Sequence, residues 1–203
     1  MESNIQENNM AKKVIRNSIF ETNSSSVHTL VLRKEPSNRY LDENDRDKYM
    51  YNDRIEIFLG QFGWGYDILS GFSEKASYLA TMIAEKYKWL EDKETDSFEY
   101  RPMNKIIEMT KEDHEWDDIV SAISSNFGIG SSDDIVLDCN YTDPGDFYID
   151  HQSRYPSIYD FLEANGGYSL SDYLFNEDIA VEIDNDNDYD EYRMKQRNKE
   201  GFK

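Results

Sequence analysis

A chain of 203 residues with a formal net charge of −20, 14% aromatic residues and one cysteine is long enough for one domain with its own core and too aromatic for a disordered acidic tail. The single Cys139 excludes an internal disulfide or a multi-cysteine zinc site and fits a reducing cytosol. No apolar run approaches about 18 residues, which excludes a membrane helix, and the polar opening residues lack the apolar segment of a signal peptide. A charge of this sign repels nucleic acid in general, so any such contact has to be local.

Charge divides the chain in three. Residues 1–34 carry five basic and three acidic residues, 35–192 carry 12 and 38, and 193–203 carry five and one. An acidic body thus lies between two mildly basic ends. We expect a disordered leader at 1–11, one domain over 12–188 and a solvated basic tail over 189–203.

In chain order, Lys13 to Phe20 and Val27 to Leu32 read as short strands joined by the polar segment Glu21 to Ser26. Residues 35–54 are charge-dense and aperiodic, a surface loop. Ile55 to Leu59 reads as a strand, followed by a loop rich in glycine and aromatics. After Ser73, a suitable N-cap, Ala76, Leu79, Ala80, Ile83, Ala84, Tyr87 and Leu90 recur at helical spacing. A second helix is expected after Thr110, which with Asp113 resembles a capping box. Trp116, Ile119, Val120, Ile123 and Phe127 share its apolar face, and Gly128 stops it.

Ile135 to Leu137 and Phe147 to Ile149 predict strands around the turn Thr142 to Gly145. Ser157 caps a short helix ending at Asn165 to Gly167, another helix covers 170–176, and Ile179, Val181 and Ile183 alternate as a strand. The sum is an α+β single domain with short, mostly antiparallel strands and two longer amphipathic helices. Trp64, Tyr66, Tyr78, Tyr87, Trp89 and Trp116 are expected in the core. Tyr40, Tyr49, Tyr51, Tyr189 and Tyr192 lie in polar stretches and are expected at the surface, where tyrosine among acids suits protein binding.

The least ordinary stretch is RNSIFETNSSSVH, residues 16–28. Its hydroxyls and backbone N–H groups can cradle an anion that Arg16 pairs with, and His28 can donate to a phosphate or act as a general base. The simpler reading is a Ser/Asn-rich hairpin turn carrying a surface histidine. Other motifs fail on inspection. Asp184 to Asp188 resembles the start of a calcium loop, but Tyr189 and Lys195 stand where Gly and Glu are needed. His114-Glu115 lacks the second histidine of a zinc motif, Gly128-Ile129-Gly130 lacks the third glycine of a dinucleotide turn, and no G-x-S-x-G elbow exists. No cofactor and no metal is expected.

The run 16–28 also resembles the opening of a family of largely uncharacterised bacteriophage proteins that begin R-N-S-x-F-E-T-N-S-S-S-x-H. Phe62-Gly63-Trp64, Asp150-His151-Gln152-Ser153 and the piece from Leu174-Phe175-Asn176 through Asp186-Asn187 are similar to that family too, so the likeness spans residues 13 to about 188. It implies a phage origin and a shared polar site of Arg16, Asn17, Ser24, Ser25, Ser26, His28, His151 and Ser153 where the motifs converge. Two histidines with hydroxyls and an arginine suit holding a phosphate or RNA. A two-histidine phosphoesterase wants each His two residues before Ser or Thr. His151-Gln152-Ser153 fits, while His28-Thr29-Leu30 does not.

The foremost expectation is therefore a phage-encoded inhibitor, an anti-CRISPR or other anti-defence protein of the host cytoplasm. It would bind a host protein or ribonucleoprotein effector complex, with a small RNA held at the motif or contacted by the basic tail, and no membrane. The alternatives are a phosphodiester- or nucleotide-processing enzyme using His28 and His151, and a virion or assembly accessory protein.

Overall fold

A chain that scatters short apolar runs among charged loops needs one long apolar element to pack them around. That element is helix α1 (Phe72–Tyr87), and the computed structural model describes it within residues 26–92, 97–150, 155–185 and 190–202. The strands among the described residues are β1 (Ser26–Leu32), β2 (Met50–Tyr51), β3 (Arg54–Phe58), β4 (Gln61–Phe62) and β5 (Asp67–Leu69) before α1. After it come β6 (Trp89–Asp92), β7 (Ser97–Tyr100), β8 (Ile135–Asp138), β9 (Tyr148–Ile149) and β10 (Ile179–Asn185). The remaining helices are α2 (Met103–Lys111), α3 (His114–Phe127), α4 (Ile158–Ala164), α5 (Leu170–Phe175) and α6 (Asp190–Glu200). The architecture is a single α+β domain with small, mostly antiparallel sheets. None of its described helices is long and apolar enough to cross a membrane.

β10 is the middle strand of an antiparallel sheet ordered β1-β10-β5, with His28 opposite Ile183 and Leu32 opposite Ile179. Strand alternation sends His28, Leu30, Leu32, Val181 and Ile183 toward α1 and turns Val31, Ala180 and Glu182 to the other face. A second sheet pairs β3 with β2 antiparallel and with β8 parallel. The same two chain segments pair again as β4 and β9, also parallel. Asn52 and Asp53 at φ 49° and 62° make the tight β2–β3 turn, the left-handed pair that such two-residue hairpins require.

α1 is buried on every side rather than along one stripe: Ala76, Tyr78, Leu79, Ala80, Ile83 and Ala84 are all fully buried, as befits a helix surrounded by protein. Its first turn is closed by Glu74, whose carboxylate accepts from the backbone N–H groups of Ser70 and Gly71. The N-cap is therefore Gly71, two residues before the expected Ser73. Thr81 Oγ1 accepts from Gly60 N at 2.9 Å, which ties the helix to the β3–β4 junction. Phe72 centres an aromatic cluster with Tyr49, Phe127 and Phe175 at ring distances of 5.0–5.7 Å. Tyr49 is thus half-buried, not the surface residue its polar context suggested.

α3 ends at Gly128 in the left-handed region, φ 64°, as its sequence predicts. Its cap is Asp113, accepting from Glu115 N at 2.9 Å. Thr110 lies in the last turn of the preceding helix α2, bonding Ile106 O. The basic C-terminal stretch, expected to be solvated, folds as α6 over the outer face of the first sheet. Phe202 is fully buried there with Val31, Ile68 and Ala180, beneath the Arg33 guanidinium at 4.9 Å. Arg197 pairs with Glu182 and Arg193 with Asp184, each at 3.1 Å.

Candidate functional site

His28 sits on the inner face of β1 and is 1% exposed, so the surface histidine of the turn reading is not what forms. Its Nδ1 lies 3.0 Å from the hydroxyl of Tyr78, a fully buried residue of α1. Burial lowers the His28 pKa from 6.5 to about 4, with the nearby Asp150 carboxylate pulling the other way. The ring is neutral near pH 7. The Tyr78 hydroxyl, its pKa raised well above 10.0 by burial, keeps its proton. The Nε2 of His28 makes no hydrogen bond among the described residues.

What lies beyond Nε2 is set by the parallel pairing of β4 and β9. Tyr148 N donates to Gly60 O and Asp150 N to Phe62 O, both at 3.0 Å, which places Gly63 between His28 and Asp150. Gly63 has φ +121°, and a Cβ there would stand 2.6 Å from Asp150 Cβ and 3.3 Å from His28 Nε2. Next to it Trp64 is 79% exposed, its ring edge-on to Tyr148 at 5.9 Å and 84°. The expectation of a core Trp64 fails because the flanking Gly63 and Gly65 carry it outward. Trp89, at 38% exposure, fails likewise, stacking on Tyr100 at 4.3 Å at the surface.

His28 of β1, Gly63 and Asp150 thus lie together, with β10 paired to β1. Arg16, Asn17, Ser24, Ser25, His151 and Ser153 lie outside the described residues. Ser26 opens β1 opposite Asn185. Asp186 to Tyr189, which hold most of the calcium-loop lookalike, also lie outside.

Among the described residues one trio has metal-ligand spacing, Asp113, His114 and Glu115. Its carboxylates already have partners. Lys86 Nζ lies 2.7 Å from Glu115 and 3.5 Å from Asp113, the Tyr87 hydroxyl donates to Asp113 at 2.6 Å, and Ile158 N donates to Glu115 at 3.2 Å. The lysine supplies the positive charge that a cation would bring, so the two buried carboxylates read as an ion-pair network that joins α1, α3 and α4, beside an exposed His114.

Comparisons with protein-family models, curated proteins and solved structures find no match. The chemistry of the site itself therefore carries the reading. Tyr78, the partner of His28, was invisible in the sequence as a site residue because it sits among the apolar positions of α1. The one available signal was the strict alternation of β1, which puts His28 on the same face as Leu30 and Leu32.

The geometry sets a pH dependence. Above pH 6.5 His28 is neutral both folded and unfolded. Between 6.5 and about 4 the unfolded chain takes up a proton that the buried ring resists, so stability falls as pH drops through that window. The expected loss is about 3 kcal/mol, and it should disappear from urea-unfolding curves of His28→Gln. An unchanged acid slope in that variant would show that His28 is not the group responsible.

Proposed function

We propose that this protein is a phage-encoded inhibitor of host defence, an anti-CRISPR or related anti-defence protein, which works in the host cytoplasm by binding a nucleic-acid-handling effector complex. The observation that carries the reading is the distribution of charge along paired segments. Residues 55–74 hold three acidic residues and residues 112–153 hold eleven, with no Lys or Arg in either. The parallel pairings of β3 with β8 and β4 with β9 set these two stretches side by side. Asp67, Asp138, Asp143 and Asp146 are exposed on them. The exposed carboxylates on these stretches are complementary to a channel lined with Lys and Arg, where opposite potential speeds docking and excludes the channel's usual polyanion.

The likeness of residues 16–28 to a phage family supports a phage origin. The burial of His28 weighs against direct catalysis at that residue, since a substrate would have to displace Gly63 or Tyr78 to touch it. A helper RNA is better sought at the N-terminal motif than at the basic end, because Arg193 and Arg197 of α6 are engaged with Asp184 and Glu182.

The reading is tested by expressing the chain in a host with an active CRISPR system. Plating of a targeted phage should rise, and target-DNA binding by the purified effector should fall, more strongly at low salt. Unchanged plating and unchanged DNA binding across effectors of different types would remove it. The enzyme reading keeps one point in its favour, a His28 Nε2 that makes no hydrogen bond among the described residues. Turnover of a phosphodiester that vanishes in His28→Ala and His151→Ala while effector binding persists would favour it instead.

A further inference from the structure

Trp64 is the most exposed large apolar side chain among the described residues. Exposing an indole to water forfeits the burial free energy of the largest side chain, so the position calls for a partner. Three observations define what that partner carries. The Trp64 and Tyr148 rings stand nearly perpendicular at 5.9 Å, forming a corner of two aromatic rings whose Trp64 side faces solvent. Both rings belong to the stretches 55–74 and 112–153, which hold no Lys or Arg, and the Asp150 carboxylate lies close enough to act on Tyr148 electrostatically. The corner is also held in place. Tyr148 and Asp150 are both hydrogen-bonded through their backbone amides to the strand that leads into Trp64, so little order has to be acquired on binding.

We propose that the Trp64–Tyr148 corner is the docking point for an arginine side chain presented by the nucleic-acid-binding surface of a protein partner. The face of an indole attracts cations, with Trp the strongest of the aromatic side chains. The surrounding carboxylates raise the local concentration of cations and repel the phosphates that would accompany a stacking nucleobase. Between the two cationic side chains, arginine fits better: its guanidinium is planar, weakly hydrated and stacks on a ring, while the ammonium of lysine holds its water. The proposal rests on the inhibitor reading above and names the residue type that its partner offers.

The test uses the purified full chain and fluorescein-labelled octa-arginine, octa-lysine and a Gly/Ser peptide of equal length, with binding read by anisotropy, beside a labelled single-stranded oligonucleotide. Wild type should bind octa-arginine more tightly than octa-lysine. Trp64→Ala should weaken octa-arginine binding about tenfold, and Trp64→Phe should recover part of it. Trp89→Ala, at the other exposed tryptophan, should leave it unchanged. Because Trp64 is so exposed, the Ala variant should melt with wild type, which keeps the comparison clean.

Equal octa-arginine affinity in Trp64→Ala and wild type overturns the docking point, while the inhibitor reading stands or falls separately on the effector's DNA binding. Oligonucleotide binding that exceeds octa-arginine binding and is lost in Trp64→Ala makes the corner a base-stacking platform and also overturns the proposal. Octa-arginine bound no better than the Gly/Ser peptide overturns it together with the acidic-surface docking on which it rests.

Discussion

Gly63→Ala is expected to destabilise the protein by about 3–5 kcal/mol, through backbone strain and steric overlap at one atom. The backbone there has φ +121°, a region that residues with a side chain scarcely occupy. The added methyl would lie 2.6 Å from Asp150 Cβ, closer than carbon atoms approach. Asp150 cannot retreat, because its amide is bonded to Phe62 O and extends the β4–β9 ladder. On the other side His28 Nε2 waits at 3.3 Å, with the ring anchored by Tyr78. Two residues on, Gly65 has nothing within 4 Å of its would-be Cβ, so Gly65→Ala should stay within about 0.5 kcal/mol of wild type. Urea unfolding followed by circular dichroism measures both. Equal midpoints for the two variants would mean that the contact between β4, β9 and His28 is looser than its distances imply.

The second large effect belongs to Lys75. It is 1% exposed, and no carboxylate pairs with it among the described residues. Its ammonium donates to the carbonyls of Asn176 at 3.0 Å and Ile179 at 3.2 Å and lies 5.8 Å from the centre of the Tyr173 ring. Burial lowers its pKa from 10.5 to about 7, against smaller opposing pulls from Glu177 and Glu74. Above pH 10.5 the amine is neutral folded and unfolded, and the fold carries no penalty for it. Below about pH 7 it is charged in both states and the whole penalty stands. Stability should therefore rise with pH between these limits, because the unfolded chain holds a proton that the folded chain has released. The rise attributable to Lys75 is about 3–5 kcal/mol. Lys75→Met should flatten the difference between unfolding free energies at pH 6 and pH 9.5, whatever its effect at either pH alone. A difference as large as that of wild type would assign the slope to other groups.

Elements whose signals are local were legible in the sequence. The cap Ser157 and the Asn165-Gly166-Gly167 stop bracket α4, Gly128 ends α3, and Ile179, Val181 and Ile183 alternate in β10. α2 leaves no periodic signal in the sequence because only Ile106 and Thr110 of its nine residues are buried. β4 and β5, two and three residues long, are shorter than any repeat that could reveal them. They exist because β9 and β10 pass alongside.

The candidate site divides in the same way. Of the eight residues expected at the site only Ser26 and His28 are among the described ones, and the neighbours that His28 takes, Tyr78 and Gly63, are not among those eight. Which atoms face which depends on tertiary facts: the burial of His28 under α1 and the glycine-flanked exit of Trp64. The docking of α6 is not legible in the sequence, because what holds it is Phe202 and its ion pairs to β10 rather than an apolar stripe of its own.

The first sheet has a consequence for how this chain is made. Its middle strand, β10, is the last strand in chain order among the described residues, and its neighbours β1 and β5 come from residues 26–32 and 67–69. On a ribosome those two must wait, unzipped and with their hydrogen-bonding edges bare, until residues 179–185 emerge to fill the gap. Closing loops of that length is slow, and exposed edges in the interval invite pairing with other chains. Any fragment that stops short of β10 is left with two orphan edges in place of a sheet.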